Sequence, residues 1–180
     1  FRASVSPNKH LLAVGDATQA GVHVYRLSDG DEVAVLPHPS PQSVEWSPDG
    51  TAVAASGNDG DVTLFDLSTR EVKLVLSGHE GSVWSIAFSP DGSRIASASV
   101  DGAARVWDIT PEGVAATRVI PVEGLLGAFE INTDGTELFA RLRNRDAILY
   151  DAISGNVIST FPTPAVFPHF AHIDSSVAHV

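Results

Sequence analysis

A four-residue turn that returns at a fixed interval constrains this chain more than anything in its composition. Ser-Pro-Asp-Gly occurs at 47–50 and again at 89–92, with the relatives Ser-Pro-Asn at 6–8 and Thr-Asp-Gly at 133–135. Asn8, Asp49, Asp91 and Asp134 are therefore 41, 42 and 43 positions apart. An aromatic landmark keeps the same phase: Tyr25-Arg26, Phe65-Asp66, Trp107-Asp108 and Tyr150-Asp151 follow one another at 40, 42 and 43. Two independent markers on one period identify an internal repeat, and a period of this size belongs to stacked supersecondary units.

The third period shows what each unit is made of. Residues 83–88 are rich in apolar side chains, and the following turn has Pro90 to fix φ and Gly92 to take positive φ. Residues 94–98 come next, then a turn at Asp101-Gly102, then 104–108 with apolar and polar residues alternating. A turn at Pro111-Glu112-Gly113 precedes 115–120. The pattern predicts four short strands in an antiparallel meander. No stretch carries the i, i+3, i+4, i+7 stripe of an amphipathic helix, so the fold class is all-β.

Composition narrows the function. The chain is 43% hydrophobic and 18% charged, which describes a globular protein. Eleven basic against 22 acidic residues leave a formal charge of −11. Nucleic acid and anionic membranes both select a positive footprint, so neither is expected as a partner. No apolar run reaches the length of a membrane span. The absence of cysteine excludes a disulfide scaffold, a thiolate metal site and a Cys nucleophile.

A four-stranded sheet every 42 or so residues is the signature of a propeller blade. The third unit, with Gly78-His79, the turn at 89–92, Ser97, Asp101-Gly102 and Trp107-Asp108, resembles a WD repeat of the WD40 type. The second unit keeps the turn, Asp59-Gly60 and Phe65-Asp66 but lacks a Gly-His pair. Its nearby Pro37-His38 sits out of step with the repeat, so His38 is not equated with His79. Units one and four have Tyr25 and Tyr150 in the place of the tryptophan. The expected blades are 1–36, 37–76, 77–120 and 121–161, with the start of another at 162–180. WD propellers close with about seven blades. An uncovered end face of roughly 400 Å² forfeits on the order of 10 kcal/mol, as much as a typical domain's whole stability. The chain, which holds no methionine, is thus expected to be a segment of a larger closed propeller. Its remaining blades would come from flanking sequence or another chain.

The resemblance also implies roles for residues. His79, Ser97, Asp101 and Trp107 match the buried hydrogen-bonded tetrad that ties outer strands to inner ones. The chemistry is sound, because each of these groups would cost about 1–3 kcal/mol if buried without a partner. A hydrolase triad of Ser97, His79 and Asp101 would need a solvent-facing serine and an oxyanion hole, and no Gly-x-Ser-x-Gly elbow is present. Ala55 stands where Ser97 stands, so the second unit's network is expected to be incomplete.

Other motifs reduce to turns. Ser6-Pro-Asn-Lys9 matches the Ser-x-x-Lys of serine acylases but falls at the phase of the repeated turn. Asp29-Gly-Asp31 and Asp59-Gly-Asp61 lack the oxygen offsets and closing Glu of a calcium loop. His169, His172 and His179 could offer imidazoles to zinc, but strand residues three apart face opposite ways. P-loop and dinucleotide patterns are absent. No cofactor, metal or catalytic residue is expected.

By resemblance, partner-binding positions lie at the upper rim, three and five residues after the histidine and one before the turn aspartate. They are Ser82, Trp84 and Val100 in the third unit, and Ser40, Gln42 and Asn58 in the second. The fourth supplies Leu125, Gly127 and Arg143. An exposed tryptophan would have the chemistry of a binding hot spot, whereas a buried one would pack between blades. The expected function is a non-enzymatic scaffold or sensor module of a larger multidomain protein, cytoplasmic, binding a protein or peptide. The alternative is the gating or recognition propeller of a peptidase whose catalytic domain lies elsewhere.

Overall fold

The computed structural model describes residues 3–16, 18–19, 21–122, 125–132, 136–142 and 147–162. Every regular element among them is a strand, and the sixteen strands form four sheets in chain order. The first contains β1 (Ala3–Val5), β2 (Leu11–Asp16), β3 (Gly21–Arg26) and β4 (Glu32–Pro37). The second contains β5 (Pro41–Trp46), β6 (Ala52–Gly57), β7 (Val62–Asp66) and β8 (Val72–Leu76). The third contains β9 (Val83–Phe88), β10 (Arg94–Ser99), β11 (Ala103–Thr110) and β12 (Gly113–Pro121). The fourth contains β13 (Leu125–Ile131), β14 (Glu137–Leu142), β15 (Ala147–Asp151) and β16 (Val157–Phe161). All pairings are antiparallel between sequence neighbours. The segment 163–180, with its three histidines, lies outside the described residues.

The first strands of successive sheets pack side by side, β1 on β5, β5 on β9 and β9 on β13, which makes them the inner strands of adjoining blades. Both faces of an inner blade are buried, so its strands read as apolar on both sides, as in β6, where every residue is buried. Three clusters fill the junctions. Val22, Leu36, Trp46 and Phe65 lie between blades one and two. Leu64, Leu76, Ile95 and Trp107 lie between two and three. Val106, Ile120, Leu138 and Tyr150 lie between three and four. At about 25 cal/mol per Å² of apolar surface removed from water, these junctions are the main favourable term for the fold.

The repeated turn explains why the period holds. In each copy the serine hydroxyl donates to the acid two residues on, from Ser47 to Asp49 and from Ser89 to Asp91, both at 2.6 Å. The same hydroxyl accepts the amide of the next strand, Ala52 N–H and Arg94 N–H, both at 2.9 Å. Ser6, Asn8 and Leu11 N–H repeat the arrangement in blade one. In blade four Asn132 takes the serine's place and accepts from Glu137 N–H at 2.9 Å. Gly50 and Gly92 both sit at φ +71°, and Lys9 holds the same turn position at φ +60°. A non-glycine residue pays about 1–2 kcal/mol for that left-handed conformation.

Two differences from the expected strands concern blade three. Its last pair is longer, running through Thr110 and resuming at Gly113 around a two-residue tip. The register also shows an insertion: Val62 pairs with Leu76, but the equivalent Ala104 pairs with Ile120, two positions further. Asp66 and Asp151 spend their carboxylates on amides of the turn that follows. Asp108 instead accepts from Arg94 Nε at 2.9 Å and Arg118 NH1 at 3.0 Å, which braces the hairpin and lets its strands continue.

Candidate functional site

Two groups of residues converge at the end of the blades that carries the inter-blade connections and the second turn of each meander. The first is buried. Trp107 Nε1–H donates to Ser97 Oγ at 2.9 Å, and Ser97 Oγ lies 2.9 Å from His79 Nε2. His79 Nδ1 lies 2.8 Å from Asp101 Oδ2, which also accepts from Glu80 N–H. One proton arrangement satisfies the whole chain: Ser97 donates to Nε2, and Nδ1–H donates to the carboxylate. Burial pushes the His79 imidazole below its ordinary value, against the hydrogen bond and charge of Asp101, which pull the other way. Burial works to raise Asp101, but hydrogen bonds from His79, Ala103 N–H and Glu80 N–H outweigh it and hold the carboxyl below its usual range.

These distances would also suit a Ser-His-Asp triad, but access decides against one. Ser97 is 0% exposed, and one of its lone pairs is taken by the indole. A nucleophile needs a path for substrate and donors for the oxyanion. The constellation ties β9's approach, β10 and β11 together.

In blade two, the structure brings His38 into the corner that the sequence spacing had denied it. The side chain is 1% exposed, and Nε2 lies 3.8 Å from Asp59 Oδ2. Ala55 and Phe65 replace the serine and tryptophan, so nothing satisfies this nitrogen, which has no hydrogen-bond partner. Burial lowers the His38 pKa, with Asp59 and Asp61 opposing. The His38 ring is turned over relative to His79, with Nε2 toward the turn aspartate and Nδ1 accepting weakly from Ser40 N–H at 3.4 Å.

The second group is exposed. Trp84, on β9, keeps 44% of its surface in solvent, and Val100 keeps 52%. Beside them runs a row of polar groups across the junction of blades two and three. Ser82 Oγ donates to Asn58 Oδ1 at 2.9 Å, and Asn58 Nδ2 donates to Ser40 Oγ at 2.9 Å. Gln42 is exposed on β5 at the same end. Leu125 opens β13 at this end, and a register shift after it interrupts pairing until Ala128. Arg143 lies outside the described residues. The Ser82–Asn58–Ser40 row joins side chains that the spacing argument had placed separately.

The other motifs take ordinary turn geometry. Asp29 and Asp59 accept the amides of Asp31 and Asp61, and Arg26 binds Asp29 at 2.8 Å. Among the described residues no three His, Asp or Glu side chains cluster as metal ligands would. No described helix is long and apolar enough to cross a membrane.

Four consecutive antiparallel blades with a Trp–Ser–His–Asp network define a β-propeller architecture of the WD type. The family model described as WD domain, G-beta repeat matches residues 30–66 and 70–108, so the chain carries WD repeats. Each match starts near the outer strand of one sheet and ends in the third strand of the next, so a sequence repeat spans two blades and interlocks them. Among solved structures, a chain in the "Crystal Structure of Mitotic Checkpoint Complex" is similar, with a TM-score of 0.73 and 20% identity. The similarity covers 88% of this chain and 48% of that one, so the chain spans about half that length. No curated protein matches the sequence. WD propellers are in general non-catalytic and serve as protein-interaction scaffolds.

Proposed function

We propose that this chain is the interaction module of a larger, cytoplasmic multidomain protein, and that its upper rim binds a protein or peptide through Trp84. The observation that carries the reading is the exposure of Trp84, at 44%, beside the hydrogen-bonded row of Ser82, Asn58 and Ser40. A large apolar ring rimmed by satisfied polar groups is the composition of a binding hot spot. Val100 and Gln42 widen the same surface, and Leu125 and Arg143 are its proposed continuation on blade four. The test is capture of partners by the full-length protein and by its Trp84→Ala variant. Partners lost from the variant, with its circular dichroism unchanged, support the reading, and an identical partner set refutes it.

The same proposal includes further blades beyond the four. Blades one and two, two and three, and three and four pack together, and among the described residues no packing of like extent joins blade four to blade one. Val5 and Val35 on blade one and Val157, Ile158 and Phe161 on blade four stay 43–54% exposed. Apolar faces of this kind favour a cover of similar blades from flanking sequence or another chain. Residues 1–180 expressed alone are expected to self-associate. A monodisperse monomer with a cooperative melt would refute this part.

A further inference from the structure

At the end of the blades opposite Trp84, a cleft of about 420 Å³ opens between blades two and three. That volume lies within the range of ligand pockets, roughly 300–1,000 Å³. Leu74, Phe88 and Ile109 are half-buried at its base, where they continue the inter-blade core outward. Asp49, Asp91 and Glu112 stand around it with Lys73 as the one cation among the lining residues.

The cleft exists because blade three departs from the repeat at two points. At the junction of blades one and two, Arg70 reaches from blade two and donates to Val33 O on β4 at 3.0 Å, closing the gap. Counting from Asp66 and Asp108, the residue in Arg70's place one blade on is Glu112, and by strand register the counterpart of Val33 is Lys73. A carboxylate cannot donate to a carbonyl, so the bridge has no equivalent. The two inserted residues then carry the β11–β12 hairpin outward, and its tip forms a wall of the cleft. The Asp108 clamp on Arg94 and Arg118 holds that wall in place.

The rim is anionic by construction. The Ser89 hydroxyl and the Ser93 amide lower the Asp91 carboxyl to about 2, and the Ser47 hydroxyl and the Thr51 amide hold Asp49 below its usual range. Both are ionised at neutral pH, and three carboxylates face one ammonium. An apolar base within such a rim complements a ligand that carries an apolar side chain next to a positive charge.

We propose that this cleft is a second binding site, distinct from the Trp84 surface, which takes an extended peptide segment pairing a large apolar residue with flanking Arg or Lys. It does not depend on the proposed function of the upper rim. The probe is a fluorescein-labelled octapeptide pool in which Leu, Phe or Ile alternates with Arg, and a matching pool has Glu in place of Arg. Binding to the full-length protein is followed by anisotropy. The Arg pool is expected to bind at micromolar concentrations and the Glu pool at least tenfold more weakly. Glu112→Lys should weaken the Arg pool at least fivefold, and Lys73→Glu should tighten it. Both positions are exposed, so neither variant threatens the fold. Trp84→Ala should leave this binding unchanged, which separates it from the upper-rim reading. Equal binding of the two pools, no response to either charge variant, or a loss of binding on Trp84→Ala would overturn the proposal. So would binding of free arginine amide as tight as that of the Arg pool.

Discussion

Replacing Ser97 with alanine should test the buried network more sharply than any other single change. The hydroxyl serves two neighbours at once, accepting from Trp107 Nε1–H and meeting His79 Nε2, each at 2.9 Å. Ser97 is 0% exposed and the His79 side chain is likewise 0% exposed, so no water replaces the lost partner. Two buried polar groups are then orphaned, and at about 1–3 kcal/mol each the loss should be about 2–6 kcal/mol. Trp107→Phe alone removes a donor and leaves Ser97 and His79 still paired. The double variant Ser97→Ala/Trp107→Phe recreates the Ala55/Phe65 pair of blade two, where only a histidine nitrogen is left over. Its cost should therefore fall short of the sum of the singles by about 1 kcal/mol or more, since the indole no longer seeks an acceptor. Urea unfolding followed by far-ultraviolet circular dichroism measures all three, provided the slopes agree. A Ser97→Ala loss under about 0.5 kcal/mol, or strictly additive singles, would refute the reasoning.

Stability should fall with acid in two stages. His79 and His38 are held below the ordinary value of 6.5 in the fold, chiefly by burial. The unfolded chain therefore takes up protons first, and their contribution is present above about pH 6.5 and lost as pH falls through the lower folded values. The turn carboxylates Asp49 and Asp91 are depressed below 3.8, Asp91 to about 2, so theirs is lost between about pH 4 and pH 2. Urea midpoints across pH 2–8 check this, and a flat profile between pH 7 and 5 contradicts the histidine part. Gly60→Ala should destabilise by about 1–3 kcal/mol, because φ is +82° and an added Cβ would lie 2.7 Å from the His79 carbonyl oxygen. Thermal melts compare it with Gly102→Ala, also at positive φ but with nothing within 4 Å, which should cost less.

The repeated turn was legible in the sequence because its chemistry is local. A serine, an acid two residues on and a following glycine need no distant partner, so they recur as letters. Lys9 was legible only through its phase, since no lysine advertises a φ of +60°. The tetrad was legible through resemblance to a motif, since its members are up to 28 positions apart and only folding brings them together. His38 was not, because it is out of step with the 42-residue shift and only the fold brings its ring beside Asp59. Nor was the exposure of Trp84. In a sheet packed on both faces, alternation marks two sides without saying which end of a strand reaches solvent. The longer hairpin was hidden for a related reason: Pro111-Glu112-Gly113 reads as a turn in any register, and the Asp108 partners that extend it sit on other strands.

Residues that repeat and residues that deviate therefore carry different information. The Ser–Asp turns satisfy their own hydrogen bonds and present the same surface in each blade, so they hold the architecture and distinguish no partner. Selectivity can arise only where one blade breaks the pattern. Blade three does so at both ends. Above, it alone sets a tryptophan on an inner strand at the rim, where the equivalent residue of blade two is Gln42. Below, it alone has the two extra residues and an acid where blade two has Arg70. It is also the blade with the complete Trp107–Ser97–His79–Asp101 network. Irregular surface is costly to hold in a fixed shape, and the blade that carries the most of it is the one whose inner and outer strands are tied by the complete buried network.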